Sequence, residues 1–228
     1  MCPHPPLLVP AVAAGAAAEL ADLRRACAEA IDTLLGAEPD LVCVIGSGAT
    51  ERWYGDGDSG TLRPYGVALD VPLAGRPSRS PALPLSLTIG SWLVQQSRWS
   101  GPRTALAVPA GTSDASLDRL SAEVTDAAGS VALLVMGDGT ARRSVRAPGY
   151  LDPRAAAFDD AVIAALADAD TDRLARLDPQ LGAELLAAGT TPWRFLGRAG
   201  SGAQWAGSVL YADAPYGVTY CAAAWARK

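Results

Sequence analysis

His4 is the only histidine in the chain, and that count limits the available chemistry more than any motif does. Imidazole is the side chain that exchanges protons near neutral pH and the commonest ligand of transition metals, so one polypeptide of this sequence cannot assemble a two-histidine metal site. A Ser-His-Asp arrangement would have to use His4, and no serine is marked out as its neighbour. His4 lies in Cys2-Pro3-His4-Pro5-Pro6-Leu7-Leu8, where prolines fix φ and hold the imidazole on a stiff, extended loop. Such a loop suits a site; it equally suits a near-terminal histidine that packs or meets solvent.

Two carboxylates occupy comparable settings. Asp138, in Gly137-Asp138-Gly139-Thr140, follows the apolar run Val131 to Met136. Open α/β sheets place ligands at the carboxyl ends of strands, so Asp138 could serve as acid, base or ligand, although the same residues are good turn formers. Asp213, before Ala214-Pro215-Tyr216-Gly217, has the same two readings. Gly46-Ser47-Gly48-Ala49-Thr50-Glu51 resembles the opening of a dinucleotide fingerprint, but Glu51 stands at the third glycine position and would repel a phosphate. A glycine turn is the simpler reading. Arg142, Arg143 and Arg146 form the densest cationic group and read as a solvated loop. Six tryptophans and six tyrosines are dispersed along the chain, as rings that close a core or an interface usually are.

The elements that must position these residues follow from hydrophobic spacing. Leu20, Leu23, Cys27, Ile31, Leu34 and Leu35 recur at three- and four-residue intervals, predicting an amphipathic helix over 16–35 that Gly36 ends. Leu41 to Ile45 is short and apolar throughout, as in a strand buried within a parallel sheet. Gly55 to Arg79 reads as a surface excursion with a strand over Tyr65 to Leu73. Helices are then expected at 83–96 and, opened by Asp114, at 116–127, alternating with strands at 104–108 and 131–136. Beyond Pro148 come helices at 153–166, 171–177, 179–188 and 192–196, and a closing hairpin of 208–211 with 218–225. Alternating helices and strands predict a three-layer α/β/α architecture with a mixed, mostly parallel central sheet, in a single domain over 1–228.

Composition excludes several function classes. A net charge of -5 offers no clustered positive surface to displace counterions from nucleic acid. No apolar run approaches the roughly 20 residues of a spanning helix, and the N-terminus has no basic region ahead of an apolar stretch. Cys2, Cys27, Cys43 and Cys221 make no C-x-x-C pair, and Cys43 and Cys221 lie within apolar runs as small hydrophobes. A soluble, cytoplasmic protein with reduced thiols is expected.

Taken in order, Pro3-His4-Pro5-Pro6-Leu7-Leu8, the strand ending at Ile45-Gly46-Ser47-Gly48-Ala49, the strand ending at Gly137-Asp138-Gly139-Thr140-Ala141-Arg142, and Ala214-Pro215-Tyr216-Gly217-Val218 resemble the class III extradiol ring-cleavage dioxygenases of the B-subunit-like type, including their Memo-like branch. The resemblance spans nearly the whole chain. It implies a facial triad for Fe(II) made of two histidines and a carboxylate, with a further histidine acting on the substrate proton. His4 matches the first ligand and Asp213 the carboxylate, with a shorter reach than glutamate. Gly48 stands where the second histidine is expected, and Ala141 where the acid-base histidine is expected. The family also carries a short apolar strand ahead of the opening motif; here that strand is either missing, replaced by Pro6 to Val12, or supplied from a start codon upstream of Met1.

The resulting expectation is a divergent relative without Fe(II) dioxygenase activity and without a cofactor, whose cleft near His4, Ser47, Gly48, Asp138, Thr140, Asp213 and Tyr216 binds a small, aromatic-type ligand or a protein partner. A homodimer is left open, including one that brings two copies of His4 together. The rival reading is a residual oxygenase or metal-dependent hydrolase that holds Fe(II) or another divalent metal with His4, Asp138 and Asp213.

Overall fold

The computed structural model describes residues 1–77 and 80–228. Arg79, which closes the expected surface excursion, lies outside them.

After a 3-10 turn at Pro6–Leu8, the short helix α1 (Pro10–Ala13) and a second 3-10 stretch lead into α2 (Ala21–Leu35). The α2 side chains Leu23, Ala26, Cys27, Ala30 and Ile31 are buried, the stripe that their spacing predicts. Then follow β1 (Leu41–Gly48), β2 (Arg52–Tyr54), β3 (Ser59–Thr61), β4 (Asp70–Pro72), α3 (Leu85–Gln96), β5 (Arg103–Pro109), α4 (Asp114–Thr125) and β6 (Val131–Val135). Helices α5 (Arg154–Asp168), α6 (Thr171–Ala175), α7 (Pro179–Glu184) and α8 (Thr190–Ala199) precede the hairpin β7 (Trp205–Asp213) and β8 (Tyr220–Arg227).

The central sheet has the order β2-β5-β1-β6; β1 runs parallel to both β5 and β6, and β2 is an antiparallel edge on β5. Strand alternation sends Val42 and Val44 to one core, with α2 and α3, and Cys43 and Ile45 to the other, with α4, α5 and α8. A strand buried on both faces has no polar side, which explains the unbroken apolar run. The architecture is the expected three-layer α/β/α fold with a mixed, mostly parallel sheet.

The sheet continues through the chain's first residues. Cys2 N–H donates to Val135 O at 3.0 Å and Gly137 N–H to Cys2 O at 3.0 Å, while Met1 and Ala223 exchange bonds of 2.7 and 3.0 Å. Met1 and Cys2 thus stitch β6 to β8, parallel to the former and antiparallel to the latter.

Three expectations need correction. Only Asp70–Pro72 of the segment 65–73 is strand, paired with β3, and Arg63–Tyr65 forms a 3-10 turn ahead of it. The cap of α4 is Ser113, whose hydroxyl accepts from Ser116 N–H, and Asp114 is already inside the first turn. Of the arginine group, Arg146 is exposed, but Arg142 donates to Gly149 O at 2.7 Å and Arg143 reaches the buried Asp159 at 3.3 Å.

Candidate functional site

Parallel strands β1 and β6 share a carboxyl edge, so Ser47-Gly48 and Gly137-Asp138 emerge at the same end of the sheet. The Met1–Cys2 pairing brings His4 to that edge, and the antiparallel β8 brings its first residue, Tyr220, there as well. His4, Asp138 and Tyr220 therefore converge from three distant parts of the chain through backbone pairing.

His4 N–H donates to Asp138 Oδ1 at 2.7 Å, and His4 Nδ1 lies 3.5 Å from the same oxygen. Nδ1 is buried and makes no hydrogen bond among the described residues, so its contact with the carboxylate is electrostatic. His4 is 6% exposed, and the Asp138 side chain, at 17%, is the more open of the two. Burial, followed by the negative charge of Asp138, pushes the Tyr220 hydroxyl well above its ordinary pKa. The group offered to a ligand is then a carboxylate beside an imidazole and a protonated phenol. It can accept hydrogen bonds from hydroxyl or amine groups.

The edge is framed by contacts that lock its loops. Gly139 N–H donates to Thr219 O at 2.7 Å and Thr219 N–H to Thr140 O at 3.0 Å, tying the loop after β6 to the hairpin. Tyr216, expected in the cleft, is half-buried and donates from its hydroxyl to Glu19 Oε2 at 2.7 Å, so the turn between β7 and β8 straps onto the segment before α2. Gly217 within that turn has φ +73°, a left-handed conformation that glycine adopts without strain.

Asp213 sits at the same edge, paired across the hairpin with Tyr220, but its carboxylate is exposed and accepts from Ala214 N–H at 2.7 Å. Thr140 is fully buried, and its hydroxyl is committed to Asp159 at 2.6 Å rather than presented to a cleft. Ser47 is half-buried, and its carbonyl accepts from Ser86 Oγ at 2.7 Å.

Sequence reasoning missed Asp159 altogether. It is 1% exposed and accepts from Thr140 N–H, Thr140 Oγ1, Thr219 Oγ1 and Arg143, at 2.9, 2.6, 2.6 and 3.3 Å. The signal was present: Asp159 lies on the stripe Ala155, Phe158, Val162 and Leu166, where helical spacing expects apolar residues.

A two-histidine facial triad cannot be drawn from one chain whose only imidazole is His4. Among the described residues no three His, Cys, Asp or Glu side chains converge to hold a metal ion. At Gly48, a Cβ would stand 2.7 Å from Ala107 Cβ and 3.5 Å from Pro84 Cγ, so the backbone there has closed on the neighbouring strand. Gly48→His should consequently destabilise the fold by about 1–3 kcal/mol through overpacking and leave the protein without stoichiometric iron. Urea denaturation and metal analysis of the variant check both halves; a stable, iron-loaded variant would refute this account.

The chain matches no protein-family model and no curated protein.

Proposed function

We propose that this chain is a divergent relative of the class III extradiol dioxygenases, of the B-subunit-like and Memo-like type, that works without Fe(II) chemistry and keeps the carboxyl-edge cleft for binding. The observation that carries this reading is the pairing of the sole imidazole with Asp138, at 3.5 Å, while Gly48 has no room for a side chain. Its ligand is a small, aromatic-type molecule with a hydroxyl or amine donor for Asp138, or a protein partner. The reading includes cytoplasmic residence, no nucleic-acid or membrane partner, and an open option of homodimerisation. No helix of the described residues is long and apolar enough to cross a membrane.

A protein partner has some physical support. The loop that continues from Asp138 exposes Val145, Tyr150 and Leu151, and Leu186 packs near Gly149 with its own face open. Tyr150 and Leu186 hold φ of +60° and +56°, a strained conformation for such side chains that persists where surrounding structure enforces it. Exposed apolar groups on a fixed loop are a surface that a ligand or partner can cover.

The test is titration calorimetry with a panel of catechols and phenolic amines against the wild type and His4→Ala. A hit that Asp138→Asn weakens by roughly tenfold, about the strength of one charged hydrogen bond, fits the proposal. No heat from any member, with no partner in affinity pulldowns, would count against it. The second reading, a metal-dependent oxygenase or hydrolase using Fe(II) or another divalent ion, draws on the same His4–Asp138 contact. Stoichiometric Fe(II) or Zn(II) in anaerobically purified protein, lost in His4→Ala, would favour it instead.

A further inference from the structure

The carboxyl edge carries more negative charge than Asp138 alone supplies. In the closing hairpin Asp213 stands opposite Tyr220 and Tyr211 opposite Ala222, so Tyr211, Asp213 and Tyr220 share one face. Tyr211 and Tyr220 pack with the core that holds α2, as does the half-buried Tyr216. Glu19, just ahead of α2, accepts from the Tyr216 hydroxyl at 2.7 Å, and Asp138 is close enough for its charge to act on Tyr220. Three phenols and three carboxylates thus gather at one end of the sheet.

Among the described residues, none of Glu19, Asp138 and Asp213 pairs with an arginine or a lysine. Basic groups from adjoining segments are engaged otherwise: Arg25 holds Asp22 at 3.0 Å, and Arg143 holds the buried Asp159 at 3.3 Å. All three phenols sit above their ordinary pKa, Tyr211 from burial and the charges of Asp213 and Asp22, Tyr216 from its hydrogen bond to Glu19, and Tyr220 from burial and the charge of Asp138. A field that resists a new anion draws a cation. His4 adds a directed group to that field. Its side chain is 8% exposed, and Nδ1 lies 3.5 Å from Asp138 Oδ1 with no hydrogen bond among the described residues. In the Nε2–H tautomer Nδ1 is an acceptor, so two acceptors stand side by side with no donor between them. An ammonium group, with three N–H donors, satisfies both at once; a phenol, with one proton, satisfies one.

We propose that the carboxyl-edge cleft takes a small organic cation, a primary ammonium joined to an aromatic body, which donates to Asp138 Oδ1 and His4 Nδ1 beside Tyr211, Tyr216 and Tyr220. This ligand class rests on the binding reading above and narrows it, by separating cations from neutral phenols and catechols. Each tyrosine contributes a ring face and a hydroxyl oxygen, both of which attract a positive charge. Glu19 and Asp213 act from further out, where the attraction is long-range and screened by salt.

Tyramine and 4-ethylphenol share a ring and differ in the ammonium group, so the pair isolates it. Calorimetry on the full chain should give tyramine a Kd roughly tenfold below that of 4-ethylphenol, about the strength of one charged hydrogen bond. The N,N,N-trimethyl analogue of tyramine keeps the charge but has no N–H to donate, and should bind several-fold more weakly than tyramine. Raising salt from about 50 mM to about 500 mM should weaken tyramine several-fold and leave 4-ethylphenol unchanged. Asp213→Asn alters an exposed side chain and leaves the His4–Asp138 contact in place; it should weaken tyramine about twofold and 4-ethylphenol not at all. Tyramine that binds no tighter than either analogue, or that neither salt nor Asp213→Asn weakens, overturns the cation assignment while the cleft still stands as a site for neutral phenols. Silence from tyramine, 4-ethylphenol and the catechols alike removes the small-ligand cleft together with its cation.

Discussion

Between about pH 9 and about pH 12 the folded protein should lose stability steeply, because two thiols are held protonated by the core. Burial alone pushes Cys43 up from 9.0 to about 12, and burial leads the rise of Cys221 from 9.0 to about 12. Below pH 9 both thiols are protonated in folded and unfolded chains, and their stabilising contribution is fully present. Above it the unfolded chain releases protons that the folded chain retains, so the unfolded state binds fewer protons and stability falls as pH rises, levelling once the folded thiols ionise. At about 1.4 kcal/mol per pKa unit, each thiol contributes on the order of 4 kcal/mol across the window. That is a large share of the roughly 5–15 kcal/mol typical of a domain. Tyr220 shifts in the same direction, from burial and the charge of Asp138. Urea denaturation at intervals from pH 8 to pH 11 measures the slope. In Cys43→Ala with Cys221→Ala the slope should flatten markedly; an unchanged slope would show that these thiols are not the titrating groups.

The same residues mark how far the sequence can be read. Cys43 sits in a run apolar on both faces, and such runs announce buried strands because a two-faced strand has no polar side to reveal. The α2 stripe was legible for the complementary reason, since one face meets solvent. Pairings made by two or three residues left no periodic trace: β2, β3 and the Met1–Cys2 strand are too short to show alternation. Candidate chemistry was legible as residue types, His4 and Asp138, because scarcity and strand context single them out. Their juxtaposition was not, because a strand pairing 134 positions away brings them together. Tyr220 looked like one more hairpin aromatic, and only its seat beside Asp138 distinguishes it.

Asp159→Ala should be the most damaging single substitution at the candidate site, although Asp159 meets no ligand in the proposed binding reading. Its carboxylate accepts from the Thr140 amide and from two hydroxyls at 2.6 Å, linking α5 to the loop after β6 and to Thr219 before β8. Removing it strands one buried amide and two buried hydroxyls, and takes the counter-charge from Arg143. The Arg143 side chain is 28% exposed and can reach water, so its lost ion pair contributes the smaller part. Unmet buried donors dominate, and the expected loss is about 3–5 kcal/mol in urea denaturation. Asp159→Asn keeps an acceptor for the Thr140 amide and should cost less than half as much. If the alanine variant folds in low urea, its loop 138–143 should exchange amide protons faster than wild type while α2 remains protected, because the loop has lost its anchor and α2 has not. Ligand affinity at His4 and Asp138 should fall with it, since the loop that fixes Asp138 is the loop that Asp159 holds. An alanine variant as stable as wild type would show that water replaces the carboxylate, and the loop's rigidity would then have to come from the backbone bonds between Gly139, Thr140 and Thr219 alone.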